Sequence, residues 1–127
     1  MPLVKVELQK GYDRLKLIKL REIVMSQVVQ TLQLPENDQN FRLIEYEPDF
    51  FQMKPPYKVI IEISLFSGRT PKTKKLLFQN LVQQLETHQL FERKEVFILL
   101  NEQPIENWGV RGGIPANELE LGFIVEI

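Results

Sequence analysis

The first residues of the chain carry the clearest chemical possibility in the sequence. Pro2 directly follows Met1, and Met-Pro is a sequence from which the initiator methionine is usually removable. Removal would leave a secondary amine at the start of the chain. An α-amino group ordinarily has a pKa of about 7.7 to 8.0, and apolar surroundings or a neighbouring arginine lower it. Pro2 is therefore a candidate general base at neutral pH, although a proline also follows the first methionine in many unrelated proteins.

Composition excludes several other kinds of chemistry. The chain has no cysteine and a single histidine, His88, so thiolate sites, cysteine nucleophiles, histidine-based metal ligation and serine–histidine catalysis are not expected. We interpret His88 as a surface residue. The 16 basic and 17 acidic side chains nearly cancel, so no long-range field attracts nucleic acid or an anionic membrane. We expect neither a metal site nor such partners.

Length and hydropathy indicate one soluble domain. The chain has 127 residues, of which 43% are hydrophobic and 26% are charged, as is typical of a single domain with one buried core. No apolar run approaches the roughly 18 residues of a membrane helix, and no signal peptide pattern is present at the start. The sequence therefore predicts a cytoplasmic protein.

The elements that must position Pro2 alternate between strands and helices. Polar and apolar residues alternate from Leu3 to Gln9, which predicts a half-buried strand. After Gly11 the apolar spacing becomes helical and continues to Leu32, before Pro35. Branched and aromatic residues over 41–46 predict a second strand, and residues 49–56 are expected to form a loop.

The second half repeats this order. Residues 59–65 are almost continuously apolar, which predicts a central strand covered on both faces. Thr70 and Pro71 are suited to the N-cap and first position of a helix. That helix is expected to bury Leu77, Phe78, Leu81, Val82 and Leu85 and to end near His88. A last strand is predicted over residues 96–100.

The two halves are an internal repeat. Gly11 and Gly68 are 57 residues apart, and Glu47 and Glu102 are 55 apart. This spacing predicts one domain made of two β-α-β halves, about 1–57 and 58–127, whose loops differ by two residues. Right-handed crossovers would give an α/β (α+β) fold with a four-stranded, mainly parallel sheet and both helices on one face. The uncovered face predicts oligomerisation.

Three motifs together resemble the tautomerase superfamily: Pro2 at the start of an alternating strand, Gly68-Arg69-Thr70 with Lys74 on the next helix, and the segment EQPIENWGVRGG at 102–113. Residues 59–113 are similar to the short 4-oxalocrotonate tautomerase subunit, and residues 2–50 resemble a second copy. The whole chain therefore resembles the double-length fused members, which include malonate semialdehyde decarboxylase. The resemblance implies a trimer and a C-terminal hairpin around residues 109–113.

Position by position, the resemblance implies that Pro2 is the amino-terminal base and that Arg69 binds a substrate carboxylate. Arg42 matches the arginine that polarises the substrate carbonyl in short tautomerases; the alternative is a surface arginine on a strand. Val59 stands where the second half would need its own amino-terminal amine, and Tyr12 replaces the turn arginine in the first half. One proline amine per chain is therefore implied.

The same resemblance assigns roles to three further residues. Trp108 stands where short tautomerases have a phenylalanine that excludes water, although it could equally be a core tryptophan. Arg111 is either a second contact for an anion or an interface residue. Asp38 aligns with an aspartate that the decarboxylase and related dehalogenases use to orient water, or else simply forms a turn. The decarboxylase has two arginines around the turn, and this chain has only Arg69 there.

These observations predict a cofactor-independent isomerase in which Pro2 moves a proton during keto–enol isomerisation of a small carboxylate or enol. Two alternatives remain open. One is a non-enzymatic or nearly inactive trimeric family member. The other is a decarboxylase, dehalogenase or hydratase that uses Pro2 together with Asp38.

Overall fold

The computed structural model describes residues 2–127, which form two α-helices, a four-stranded sheet and a short hairpin. In chain order the elements are β1 (Leu3–Gln9), α1 (Arg14–Leu32), β2 (Phe41–Tyr46), β3 (Val59–Phe66), α2 (Pro71–Thr87), β4 (Val96–Gln103), β5 (Gly109–Val110) and β6 (Ile114–Pro115). The predicted order of strand, helix and strand, occurring twice, is confirmed. The hairpin expected at residues 109–113 is formed by β5 and β6.

The sheet has the strand order β2-β1-β3-β4. The outer pairs, β1 with β2 and β3 with β4, are parallel, whereas the central pair of β1 and β3 is antiparallel. Each parallel pair is joined through a helix, as a crossover connection requires. The antiparallel centre places Leu3 opposite Ser64, so Pro2 lies beside the carboxyl end of β3 and the turn that follows it.

The helices begin at the residues that the sequence chemistry favours. The Asp13 carboxylate accepts a hydrogen bond from the Leu15 N–H at 3.1 Å, and the Thr70 hydroxyl accepts one from the Thr73 N–H at 3.2 Å. Pro71 follows as the first residue of α2, as predicted. Neither helix of the described chain is apolar and long enough to cross a membrane.

Both helices cover one face of the sheet, and the core lies between them. Alternate residues of β1 and β3 are fully buried there, namely Val4, Val6, Leu8, Val59, Ile61 and Ile63. The prediction that β3 is covered on both faces is wrong for the single chain, since Glu62 and Ser64 on the other face are only half-buried. Phe78 is also exposed rather than buried, because α2 packs through Leu77, Leu81 and Leu85.

Corresponding residues of the two halves are 57 positions apart in the sequence, and this one spacing, the 57-residue register, holds throughout the repeat. It relates the helix caps Asp13 and Thr70 and the 3₁₀ helices Pro48–Phe50 and Ile105–Asn107, as well as the ends of corresponding strands. The expected equivalence of Glu47 and Glu102, with loops differing by two residues, is therefore wrong. Glu45 is the residue 57 positions before Glu102, and the loop that follows the second strand keeps the same length in both halves.

Candidate active site

The start of β1 is held by the loop between α1 and β2. Pro2 is buried. The Asn40 side-chain amide donates a hydrogen bond to the Pro2 carbonyl oxygen at 3.3 Å, and the Val4 N–H donates to the Asn40 carbonyl oxygen at 2.9 Å. Met1, whose removal the proline base requires, lies outside the described residues. The contacts fix the Pro2 backbone at the edge of the loop that carries Asp38.

A cavity of about 210 Å³ lies at this end of the sheet. It is lined by Pro35, Asn37, Asp38, Arg111, Leu121 and Phe123. Asp38 lies in a turn, in which its own backbone N–H donates to the Pro35 carbonyl oxygen at 2.9 Å. Arg111 lies in the turn of the hairpin and has a φ of 51°. The fold thus brings together two candidate residues that are far apart in sequence. The volume of this cavity suits a ligand of a few carbon atoms, since the sites that bind drug-sized ligands start at about 300 Å³.

Arg69 lies in the turn between β3 and α2 and is only 4% exposed. One of its amino groups, Nη1, donates to the Phe66 carbonyl oxygen at 3.3 Å, whereas Nε and Nη2 have no hydrogen-bond partner among the described residues. Burial lowers the pKa of Arg69 and the Glu102 carboxylate opposes that shift, yet a guanidinium remains charged at neutral pH. A buried cation with two unused donors favours an anionic partner.

A segment that follows the hairpin, residues 119–127, covers Arg69. The Phe123 ring lies 5.8 Å from the guanidinium carbon of Arg69 and stacks on Phe66, with ring centroids 6.2 Å apart. The segment is fixed at its other end because the Ile127 oxygen accepts hydrogen bonds from the Thr70 N–H at 3.0 Å and the Thr73 hydroxyl at 2.7 Å. Phe123 also lines the cavity that contains Asp38 and Arg111. Its ring therefore lies between that cavity and Arg69.

Trp108 joins the same aromatic cluster. Its ring meets Phe66 edge-on at 5.0 Å, and its Nε1 is buried with no acceptor in the part of the chain that the structure describes. The tryptophan is only half-buried and packs against the last residue of β3, so its unused donor lies close to the Arg69 turn. Its role in excluding water from the site stays a prediction.

Charged partners near the turn are already engaged. Lys74 on α2 forms a salt bridge with Glu102 at the end of β4, so this carboxylate is not a dedicated counter-ion for Arg69.

Within residues 2–127, no group of three or more histidine, cysteine, aspartate or glutamate side chains is arranged to hold a metal ion.

Arg42 is not brought to this cavity. It is exposed on β2 with Lys5 opposite on β1, on the sheet face away from the helices. Strand side chains alternate, and Phe41 and Leu43 pack towards the core, so Arg42 must face outward. It lines a separate shallow depression with Leu3 and Asn40.

Comparison with known proteins identifies the family. Residues 38–111, more than half of the chain, match a family model described as tautomerase enzyme. The chain is a member of this tautomerase family. The matched region runs from Asp38 through the Arg69 turn to Arg111, and it therefore includes most of the elements that build the site.

Individual relatives of the chain also support its membership of the tautomerase family. The probable tautomerase YusQ of Bacillus subtilis (strain 168) is 26% identical over 121 residues, which cover 89% of this chain and 95% of that protein. The crystal structure of native fused 4-OT has a TM-score of 0.82 at 20% identity, covering 92% of this chain and 98% of that one. A crystal structure of malonate semialdehyde decarboxylase has a TM-score of 0.77 at 19% identity, covering 87% of this chain and 92% of that one. These structures share the fold of the tautomerase chain.

Sequence reasoning missed some of the residues that close this candidate site. Phe123 and Leu121 line the cavity, and Asn40 holds Pro2. A signal was present, because every second residue from 119 to 127 is apolar, as in an extended segment with one packed side. That alternation does not reveal where the segment docks.

Proposed function

We propose that this family member is a cofactor-independent tautomerase in which Pro2, once Met1 is removed, shuttles a proton during keto–enol isomerisation of a small carboxylate or enol. The observation that carries the proposal is Arg69, a buried guanidinium with two donors unused within residues 2–127, beside the end of the sheet where Pro2 lies. A substrate carboxylate would supply the missing acceptors.

The roles of the other residues follow from their places. Arg69 anchors the carboxylate, and Arg111 in the cavity wall stabilises negative charge that develops on the enolate oxygen. Trp108 and Phe123 keep water away, which strengthens both electrostatic contacts. Because Arg69 is covered by Phe123, the segment 119–127 has to shift when a carboxylate binds to it.

The same surroundings suit Pro2 to act as a base. Pro2 is buried, and a buried amine is less readily protonated than a free α-amino group. Its pKa would then fall towards neutrality, where it can accept a proton from an enol and return it to carbon. The hydrogen bond from Asn40 is made to the Pro2 carbonyl oxygen and does not involve the nitrogen.

Ketonisation of phenylenolpyruvate tests the proposal. We would use protein shown by intact mass to lack Met1 and compare it with Pro2→Ala and with protein that retains Met1. Loss of the base should slow the reaction by about 10² to 10⁴, and a retained Met1 should do the same because an amide nitrogen cannot accept the proton. Equal rates in all three proteins would refute the mechanism. No rate in any of them would favour the non-enzymatic alternative.

A second candidate, a decarboxylase, dehalogenase or hydratase, is favoured by one observation: Asp38 lines the same cavity as Arg111. Asp38 could then orient a water molecule or a substrate. Decarboxylation of malonate semialdehyde by the native protein and by Asp38→Asn separates the candidates. Turnover that depends on Asp38 supports this second function, whereas ketonisation that survives Asp38→Asn supports the tautomerase.

We further propose that the two halves, about 1–57 and 58–127, form one domain and that the protein is a cytoplasmic homotrimer. The halves share one sheet and one core, in which helix α1 packs on α2. Solved fused 4-OT proteins of the same fold are described as trimers, and the open sheet face here carries Ile44, Phe97 and Leu99. Such a face is suited to contact a second copy.

A further inference from the structure

The first half of the chain contains a second cavity, of about 400 Å³, at the opposite end of the sheet. Its walls include three aromatic rings, one thioether and two ammonium groups: Tyr12, Phe51, Tyr57, Met53, Lys10 and Lys58. The volume falls within the range of small-molecule sites, whose walls are mostly apolar with a few polar groups. None of these residues has a role in the proposed isomerisation.

The 57-residue register shows what this cavity is. It makes Gly11 equivalent to Gly68, Tyr12 to Arg69, and Phe51 to Trp108. In the second half the space beside the glycine is filled, because a Cβ on Gly68 would lie 3.0 Å from Val125. In the first half, no other part of the described chain lies within 4 Å of the Cβ position of Gly11. The cavity is the unfilled counterpart of the space that segment 119–127 occupies.

The aromatic walls are held in place by neighbouring rings. Tyr12 packs edge-on against Phe91 at 5.5 Å, and Phe51 packs against Tyr46 at the same distance. Burial raises the pKa of Tyr12, so its hydroxyl stays protonated and can donate a hydrogen bond. An apolar ring therefore meets walls that are already formed, which reduces the entropy lost on binding.

The cations at the rim can take a further acceptor. Lys10 pairs with Glu47 at 2.6 Å and Lys58 pairs with Glu95 at 2.8 Å. These carboxylates raise the pKa of both lysines, so both carry charge at neutral pH. An ammonium group has three donors, and an exposed pair such as that of Lys10 with Glu47 exchanges partners at little cost. A ligand carboxylate can therefore add to either lysine and can replace Glu47 at Lys10.

We propose that this cavity is a second ligand site, which binds a small aromatic carboxylate with its ring against Tyr12, Phe51 and Met53 and its carboxylate at Lys10 and Lys58. The site binds without catalysing a reaction, because Val59 stands at the position equivalent to Pro2 and its nitrogen is an amide. It is separate from the proline site and does not depend on the isomerase activity.

Phenylacetate is a suitable probe, observed through the backbone amide signals of the ¹⁵N-labelled protein. We expect saturable shifts centred on Gly11, Tyr12 and Tyr57, with a Kd of about 1 mM. Phenylacetamide, which has the same ring and no charge, should bind at least about fivefold more weakly. Equal binding of the two probes would overturn the carboxylate contact.

Variants locate the site. The double change Lys10→Ala and Lys58→Ala should weaken phenylacetate binding at least about fivefold, and Met53→Glu should weaken it more than about tenfold through charge repulsion. Lys75→Ala, an exposed lysine on α2, is the matched control and should not change the Kd. Pro2→Ala should bind as the native protein does, which separates this test from that of the proposed function. Absence of saturation, or shifts confined to Asp38, Arg111 and Phe123, would overturn the proposal.

Discussion

Arg69 is the residue of the proposed site whose burial works against stability. Its side chain is removed from water, and within the described residues 2–127 its one hydrogen bond is donated to the Phe66 carbonyl oxygen. A buried charge with unfilled donors costs free energy that neighbouring packing has to offset. Such a cost is tolerated where the group binds an anion that is present only in the complex.

Replacement of Arg69 by methionine should therefore separate stability from activity. Arg69→Met keeps much of the volume and removes the charge, so the free energy of unfolding should be unchanged or higher. Catalytic efficiency should fall about 100-fold through loss of a charge-assisted contact to the substrate. Thermal denaturation and steady-state kinetics measure the two effects.

Arg93→Met is the matched control, since Arg93 is exposed and pairs with Glu86 at 3.0 Å. It should leave catalysis unchanged. A large loss of stability in Arg69→Met, with activity retained, would show that the guanidinium is structural and would remove the proposed carboxylate anchor.

Residue types and the resemblance to tautomerases gave candidates for the site but not for its cover. Pro2, Asp38, Arg69 and Arg111 were chosen in this way, and their roles stay predictions. Phe123 could not be chosen, because an aromatic residue in an apolar segment packs wherever the chain leads it. Its contact with Arg69 depends on the path of residues 119–127, which is fixed by tertiary contacts.

At the scale of elements, the two strand-to-helix turns offer a matched pair. Gly11 and Gly68 have φ values of 127° and 134°, which side chains of L-residues rarely adopt. Gly11→Ala should cost about 1 to 2 kcal/mol through backbone strain alone. Gly68→Ala should cost more, because the new methyl group also meets Val125. Denaturant unfolding of both variants measures the difference.

Hydrogen exchange supplies the second readout for that pair. Gly68→Ala should speed exchange at the Thr70 amide, whose acceptor is the Ile127 oxygen, whereas Gly11→Ala should not. Equal unfolding free energies together with unchanged exchange would mean that segment 119–127 does not press on this turn.

The ion pair between Lys58 and Glu95 joins the start of β3 to the start of β4 and gives a pH dependence. The hydrogen bond from Lys58 lowers the pKa of Glu95 in the folded state. A depressed carboxyl pKa contributes stability that is complete above the unfolded value of about 4.5 and is lost as pH falls through the folded value. In thermal unfolding scans, Glu95→Gln should destabilise the protein slightly at pH 7 and make little difference at pH 3. An effect of equal size at both pH values would contradict this assignment.

The elements were largely predictable because each is specified by local patterns. The alternation of polar and apolar residues predicted β1, and Thr70 followed by Pro71 predicted the start of α2. The antiparallel centre of the sheet was not predictable, since pairing between the halves depends on contacts distant in sequence. The equivalence of Glu47 and Glu102 failed for a related reason: similar residues near a strand end do not fix the register, whereas helix caps and strand ends do.

At the scale of the whole molecule, the sheet face that no helix covers is the surface that we propose contacts other copies of the chain. Its centre holds a polar network: Lys5 lies 3.8 Å from Glu7 and from Glu62, the Tyr46 hydroxyl donates to Glu7, and the Asn101 amide donates to Glu62 at 3.3 Å. These groups pair or hydrogen-bond with one another within the chain, which lowers the cost of covering them with a second copy. Apolar side chains of β2 and β4 flank the network.

Leu99 on β4 tests the proposed homotrimer. It is 45% exposed on this face, and Leu76 on α2 is 48% exposed on the helical side of the chain. In a closed trimer any contact of Leu99 recurs three times, and each buried leucine contributes about 1.5 to 3 kcal/mol. Leu99→Lys should therefore shift sedimentation at micromolar concentration from a trimer to single chains, while Leu76→Lys should remain trimeric. Dissociation by Leu76→Lys alone would instead place the interface on the helices, and a native protein that sediments as one chain would refute the trimer.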